Sequence, residues 1–273
     1  MPEGPEIRRA ADCLQTAIAH QPTTEVFFAF EYLKPYEDKL TGQTVEAIET
    51  FGKAMVTRFD NQLCVYSHNQ LYGVWMVRPA HDYPTTNRQL RFAIHTAQTS
   101  ALLYSASEIT VLHADEVPHH PFIRNVGPDV LKVGTTPETV VQQATSSRFR
   151  RKSFTALLLD QQFLCGIGNY LRSEILFVAR LHPNLRPMDC TESQIQAFAE
   201  SAIAVCQQSY LHDGITVDLS LAAHLKAEGY SREAYRFWVF GRDDKPCHIC
   251  STPILKATLG GRRCYYCPTC QLL

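Results

Sequence analysis

The chain begins MPEGPE, and its second and third residues are the first that could do chemistry. Initiator methionine is trimmed before small residues such as proline, so loss of Met1 would leave the secondary amine of Pro2 at the chain end. An α-amino group has a pKa near 8 against roughly 10.4 for lysine, so at pH 7.5 roughly a quarter of such amines are neutral, compared with about one lysine in a thousand. A neutral amine can attack a sugar aldehyde carbon to give an iminium, the Schiff-base route of covalent catalysis. Glu3, adjacent, can move protons to or from the sugar oxygen.

A second reactive set closes the chain in CHICSTPILKATLGGRRCYYCPTC. Cys247 and Cys250 form one CxxC pair and Cys267 and Cys270 another, with 16 residues between. Two such knuckles can supply four thiolates to a tetrahedral zinc. The other reading is two disulfides or loose thiols, with Cys264 a spectator in either case. A four-cysteine site leaves no open coordination position, so one Zn2+ there would be structural. It would staple a hairpin with Gly260, Gly261, Arg262 and Arg263 at or near the tip. That positive tip suits a phosphate, although a zinc ribbon could equally bind protein.

The third feature is FLCGIGNYLRSEIL, where Gly166 and Gly168 lie between two helical patterns and Asn169 stands at the expected N-cap of the second. The preceding segment is no strand, which disfavours a dinucleotide fold. A glycine turn feeding a helix N-terminus exposes N–H groups suited to phosphate; it is equally an ordinary capped helix connection. No GxSxG, Walker loop or HExxH occurs, and His68, His119 and His120 read as packed or capped.

These features need elements to carry them. Ile7, Ala11, Leu14 and Ile18 share one helical face, predicting a helix from about Pro5 that anchors Pro2 and Glu3. From Glu25 to about Leu112 the runs EVFFAF, QTVEAIET, KAMVTRFD, QLCVYSH, LYGVWMV, RFAIHT and ALLYSA predict an antiparallel sandwich or barrel. HHPFIRNVGPDVLKVGTTP, rich in Pro and Gly, marks a boundary. Beyond it TPETVVQQA opens with an N-cap threonine and a first-turn proline, and SFTALLLDQQFL, NYLRSEILFVARL and TESQIQAFAESAIAVCQQ predict further helices.

Composition sets the class. The 273 residues are 45% hydrophobic and 19% charged, with net charge −1, an ordinary globular balance with room for two domains. Local clusters differ from the total: Arg148, Arg150, Arg151 and Lys152 stand together, and the segment from Ala234 onward carries a net +4. Each could be a solvated surface. No signal-like start and no long apolar run occur, so the expectation is a cytoplasmic protein with reduced thiols. Cys13, Cys64, Cys165, Cys190 and Cys206, set among apolar neighbours, read as core thiols.

Taken together and in order, MPEGPEIRRAAD, GKA around Lys53, YSHNQLYGVW, HPFIRNVGPDVL, LLLDQQFLCGIGNYLRSEIL and the terminal CxxC…CxxC resemble the formamidopyrimidine-DNA glycosylase/endonuclease VIII family over essentially the whole chain. The resemblance implies an α+β protein: an N-terminal catalytic β-sandwich with a leading helix (1–125), a linker (126–136), a helix-two-turn-helix domain (137–234) and a zinc-finger hairpin (235–273), with damaged double-stranded DNA in the cleft. It implies a monomeric, nucleoid-associated DNA glycosylase and abasic-site lyase that removes oxidised pyrimidines and cuts by β,δ-elimination. Oxidised purines, or DNA binding without catalysis, are the alternatives.

By the same resemblance Pro2 is the nucleophile at the deoxyribose C1′ and Glu3 the general acid. Lys53 assists elimination, although its context alone reads as an exposed strand-end lysine. Arg262 and Asn169 grip the backbone. Gln70, Leu71 and Tyr72 fill the gap left by the flipped base, although Leu71 and Tyr72 alone read as strand residues. Two departures stand out. Where close relatives carry a DNA-contacting arginine in HPF..RVGP, this chain has Asn125 with Arg124 one residue earlier, so either could take the contact. The segment VDLSLAAHLKAEGYSREAYRFWVF is longer than expected and lies near where purine-specific members carry a base-gripping loop.

Overall fold

The computed structural model describes residues 2–272; the expected removal of Met1 concerns a residue outside them. The chain forms two compact units, one of residues 6–125 with Pro2 and one of Glu3–Pro5 with residues 126–273.

The amphipathic start becomes helix α1 (Gly4–Ile18), which belongs to the first unit from Glu6 onward. Ile7, Ala11, Leu14 and Ile18 are all buried, in one cluster with Val26, Phe28, Phe92 and Leu103. Fully burying a side chain of this kind is worth about 1.5–3 kcal/mol, which makes the stripe the helix's main anchor. Cys13 falls off that stripe and is exposed, and Cys190 is only half-buried, so the reading of both as core thiols fails; Cys64, Cys165 and Cys206 are buried.

The expected runs form strands β1 (Glu25–Phe28), β2 (Val45–Phe51), β3 (Ala54–Phe59), β4 (Leu63–His68), β5 (Val74–Pro79), β6 (Leu90–His95) and β7 (Thr99–Tyr104). An eighth, β8 (Glu108–His113), lies in the same stretch. They make two four-stranded antiparallel sheets, ordered β1-β6-β7-β5 and β2-β3-β4-β8. Alternating residues of both sheets meet in one core, where Phe28 stacks on Phe92 with centroids 4.6 Å apart. A short α2 (Glu37–Leu40) lies between β1 and β2.

In the second unit, α3 (Pro137–Thr145) starts as expected, with Pro137 at its first position and Thr136 accepting the Thr139 N–H at 3.4 Å. The helix predicted over 153–164 shrinks to one turn, α4 (Phe154–Leu157). Asp160 Oδ1 takes the Gln162 N–H at 3.0 Å, a local side-chain bond that competes with helix continuation. Then come α5 (Asn169–Val178), α6 (Glu192–Leu211), α7 (Leu219–Ala227) and α8 (Arg232–Arg236), the last two occupying the unexpectedly long segment. The chain ends in the hairpin β9 (Leu255–Leu259) and β10 (Arg262–Tyr266). Among the described residues no helix is long and apolar enough to cross a membrane.

Candidate active site and metal centre

Glu3 is buried within the second unit, and its carboxylate sits on the N-terminus of α5. Oε2 accepts from Gly168 N at 2.7 Å and Leu171 N at 3.3 Å, and Oε1 accepts from Tyr170 N at 2.9 Å. The first N–H groups of a helix have no internal partners and carry the positive end of its dipole, so an anion is stabilised there. Asn169 was expected to cap this helix. Gly168 occupies the cap position instead, and the capping acceptor arrives from 165 residues away.

The glycines of CGIG are steric requirements of that arrangement. A Cβ on Gly168 would stand 2.4 Å from Glu3 Cδ. Gly4 N donates to Gly166 O at 2.8 Å, and Gly166 has φ +89°, a conformation open to glycine. Gln161 braces the same turn, accepting Gly166 N at 3.0 Å and donating to Ile167 O at 2.9 Å.

Asn169, freed from capping, accepts from Arg172 Nη2 at 2.7 Å. Arg172 is completely buried and also donates to Thr155 Oγ1 (3.0 Å), Leu259 O (3.3 Å) and Arg263 O (2.8 Å). Those two carbonyls flank the hairpin tip, so one guanidinium ties the tip to the start of α5. Burial holds its pKa below the ordinary arginine value, while Cys264 and Glu3 act the other way. At the tip, Gly260 (φ +59°) and Gly261 (φ +73°) make the two-residue turn that requires positive φ at both positions, and Arg262 follows, exposed.

Glu174, one turn further along α5, is fully buried. It accepts from the Thr216 hydroxyl and from Trp238 N (2.7 Å), Val239 N (3.0 Å) and Phe240 N (2.9 Å), pinning the strand of chain that leads to the cysteines. Burial raises its pKa and these donors oppose the rise. Sequence reading missed Arg172 and Glu174. The signal was present: charged residues inside the apolar run NYLRSEILFV at positions a buried helix would otherwise fill with hydrocarbon.

The four cysteines converge within the same unit. Sγ separations are 3.9 Å for Cys247 and Cys270, 3.4 Å for Cys250 and Cys267, and 3.5 Å for Cys250 and Cys270. A disulfide needs about 2.05 Å, whereas sulfurs about 2.3 Å from a tetrahedral ion lie about 3.8 Å apart. The cluster therefore fits a metal, and all four are free thiols. Their surroundings split them: Cys250 is drawn down to about 6, first by the Thr252 hydroxyl, and Cys270 is pushed up to about 12, first by burial and then by the neighbouring cysteines. A shared divalent cation removes that conflict by favouring every thiolate. Cys264 is buried outside the set, as expected.

The remaining residues lie in the first unit. Pro2 is half-buried, ahead of α1. Lys53 is the second residue of the two-residue turn between Phe51 of β2 and Ala54 of β3, after Gly52 at φ +61°. It is 8% exposed, so the strand-end lysine is not a solvated one. Its charge, behind burial, helps hold the His68 pKa down.

Leu71 and Tyr72 are not strand residues; they form a turn between β4 and β5, 56% and 69% exposed. Large apolar side chains so exposed and adjacent mark a contact surface. Gln70, at φ +50°, starts the turn; its N–H donates to His68 Nδ1 (3.0 Å) and its amide to Glu108 Oε2 (2.7 Å). Arg124 and Asn125 share an exposed 3₁₀ turn. The Asn125 amide is spent on Pro121 O at 2.8 Å. Among the described residues the Arg124 guanidinium makes no hydrogen bond or ion pair.

Comparison with known proteins agrees with this architecture. The formamidopyrimidine-DNA glycosylase N-terminal domain matches residues 1–107, and the H2TH domain of the same glycosylase matches residues 126–220. Endonuclease 8 of Salmonella schwarzengrund (strain CVM19633) is 49% identical over 271 residues, covering 99% of this chain and 100% of its own. Endonuclease 8 of Escherichia coli (strain K12 / DH10B) is 46% identical with the same coverage. Among solved structures, Lactococcus lactis Fpg in complex with DNA containing an abasic site superposes with a TM-score of 0.81 at 19% identity, covering 99% of this chain and 100% of that one. That likeness carries the fold. With the identity to the two endonucleases over full length, the chain belongs to the formamidopyrimidine-DNA glycosylase/endonuclease 8 family of base-excision DNA glycosylases with abasic-site lyase activity.

Proposed function

We propose that the chain excises oxidised pyrimidines such as thymine glycol from double-stranded DNA and then cuts the strand by β,δ-elimination through a Schiff base on Pro2. The observation that carries this reading is the seating of Glu3 on the N-terminus of α5. It fixes the residue bonded to Pro2, and so restricts where the terminal amine can go. Effective catalysis by a tethered nucleophile depends on such restriction.

In this reading the Pro2 amine attacks C1′, the damaged base departs and the iminium draws electrons from C2′, so that the flanking phosphates are eliminated in turn. Glu3 moves the proton to the sugar oxygen as general acid, and its three N–H donors fix where the carboxylate stands. Lys53 assists the elimination, and Arg262 and Asn169 hold phosphates. Gln70, Leu71 and Tyr72 occupy the stack vacated by the flipped nucleotide, where exposed apolar atoms are needed. Arg124 takes the backbone contact of the HPFIRNVGP segment, because its guanidinium is uncommitted while the Asn125 amide is not.

The ion of the cysteine cluster is one structural Zn2+, held by Cys247, Cys250, Cys267 and Cys270; it closes the fold of 235–273 and supports the hairpin that carries Arg262. The working parts follow the same partition: a catalytic sandwich through 125, a linker over 126–136, the helical domain over 137–234 and the zinc finger beyond. The protein acts as a monomer in the cytoplasm, at the nucleoid. Release of thymine glycol and of 8-oxoguanine from otherwise identical duplexes tests the substrate. Faster release of thymine glycol is expected, and preference for 8-oxoguanine would reassign the chain to oxidised purines.

A further inference from the structure

Apart from the residues given roles above, one end of the sheet β1-β6-β7-β5 gathers two imidazoles and a carboxylate. Glu25 opens β1 opposite His95, the last residue of β6, and His95 pairs in turn with Ser100 of β7. His81 follows β5 in a left-handed conformation (φ +57°), and its N–H donates to Ser100 Oγ at 2.8 Å. This lays its ring flat over His95, with centroids 4.4 Å apart and planes 10° from parallel. His81 Nδ1 stands 3.8 Å from Glu25 Oε2. One donor atom from each of the three side chains falls within 4.8 Å of the others.

The inner member is built as a ligand. His95 is completely buried, with Nδ1 2.6 Å from Ser100 Oγ and Nε2 3.1 Å from Tyr83 Oη. When Nδ1–H donates to Ser100, the Nε2 lone pair lies in the ring plane, on the side of Tyr83 Oη. A serine that fixes the far nitrogen of an imidazole is the outer support that metal-binding histidines use. Burial, with His81 adding to it and Glu25 opposing, holds the His95 pKa below the ordinary imidazole value, which favours the neutral, ligating form.

We propose that Glu25, His81 and His95 form a second divalent-cation site, distinct from the cysteine cluster and selective for an imidazole-preferring ion such as Zn2+ or Ni2+. Two imidazoles and one carboxylate favour such ions over Mg2+ or Ca2+. Parallel stacked rings hold their lone pairs in separate planes, so the ion is captured as His81 turns out of the stack. Its side chain and that of Glu25 are each about half exposed and free to do so. Donors about 2.0–2.1 Å from a tetrahedral ion lie about 3.3 Å apart, so the closure needed is roughly 1.5 Å. Water or Tyr83 Oη supplies the fourth position.

The test uses tag-free full-length protein with Zn2+ already in the cysteine cluster, dialysed against micromolar Zn2+ and counted by elemental analysis. The wild type should hold one more ion per chain than His81→Ala. Glu25→Gln should weaken the extra ion at least tenfold, and Ser100→Ala by about 10–100-fold. In metal-free protein titrated with Co2+ instead, the first equivalent should show thiolate-to-cobalt charge transfer from the cysteine cluster and the second should add d–d bands without it. Equal ion counts in wild type and His81→Ala, or thiolate charge transfer from the second equivalent, would overturn the proposal. His81 and Glu25 are exposed, so both variants fold, and neither result depends on the enzyme's substrate.

Discussion

Glu3→Gln removes the charge that caps α5 while leaving the side chain's shape. In the native arrangement three N–H groups share two carboxylate oxygens. In the amide one oxygen becomes an NH2 donor, so its better rotamer keeps Gly168 and Leu171 satisfied and leaves Tyr170 N–H facing another donor. A buried N–H stripped of its acceptor costs about 1–3 kcal/mol. Loss of an anion at a partly buried helix N-terminus adds about 0.3–2 kcal/mol. The expected loss is therefore roughly 1.3–5 kcal/mol, confined to the unit that holds Glu3 and α5. Hydrogen exchange reads it by site: the Gly168, Tyr170 and Leu171 amides should exchange roughly tenfold faster or more, since each 1.4 kcal/mol is tenfold, while the strands β1 to β8 keep their protection. Unchanged exchange at these three amides in folded Glu3→Gln would refute the idea that the carboxylate holds the helix start.

Four other outcomes follow from the same geometry. Gly168→Ala should cost about 1–3 kcal/mol by overpacking and displace Glu3, so thermal unfolding and strand cleavage should fall together. Leu71→Ala and Tyr72→Ala, both exposed, should change stability by no more than about 0.5 kcal/mol. Each should nevertheless weaken damaged-duplex binding by roughly 5–150-fold, the equivalent of about 1–3 kcal/mol of lost stacking. His68, His95, His120 and His182 are all held below the ordinary imidazole pKa, chiefly by burial. The unfolded chain therefore binds more protons than the fold once pH drops below about 6.5, so the melting temperature should fall from pH 7.5 to 5.5. Chelation with confirmed metal loss should weaken DNA binding while the melting of residues 6–125 stays unchanged.

What the sequence disclosed and what it hid divide by range. The CxxC pairs are legible because residue type and short spacing state their convergence, and Pro2 and Glu3 stand out as candidates on residue type alone. The stripe from Ile7 to Ile18 and the strand runs are legible because burial imposes a period. The partner of Glu3 is not, since Gly168 lies 165 residues away and no local pattern announces a cap supplied from a distance. That is also why Asn169 looked like the N-cap. Leu71 and Tyr72 continue an apolar run that reads as strand, yet the left-handed Gln70 and the Gly73 N–H bonded to Asn69 O at 2.7 Å turn the chain there. The helix over 153–164 fails for a similar reason, as Asp160 and Gln161 spend their side chains on backbone groups.

Covalent chemistry at the Pro2 amine is the proposed route of cleavage. Borohydride added during reaction with a duplex containing thymine glycol should trap one protein–DNA adduct. Peptide mapping should place the reduced bond on the amine of Pro2, with Met1 absent. Pro2→Gly should diminish the adduct, and a retained Met1 should abolish it. An adduct mapped to Lys53, or one undiminished by either change, would contradict the central claim.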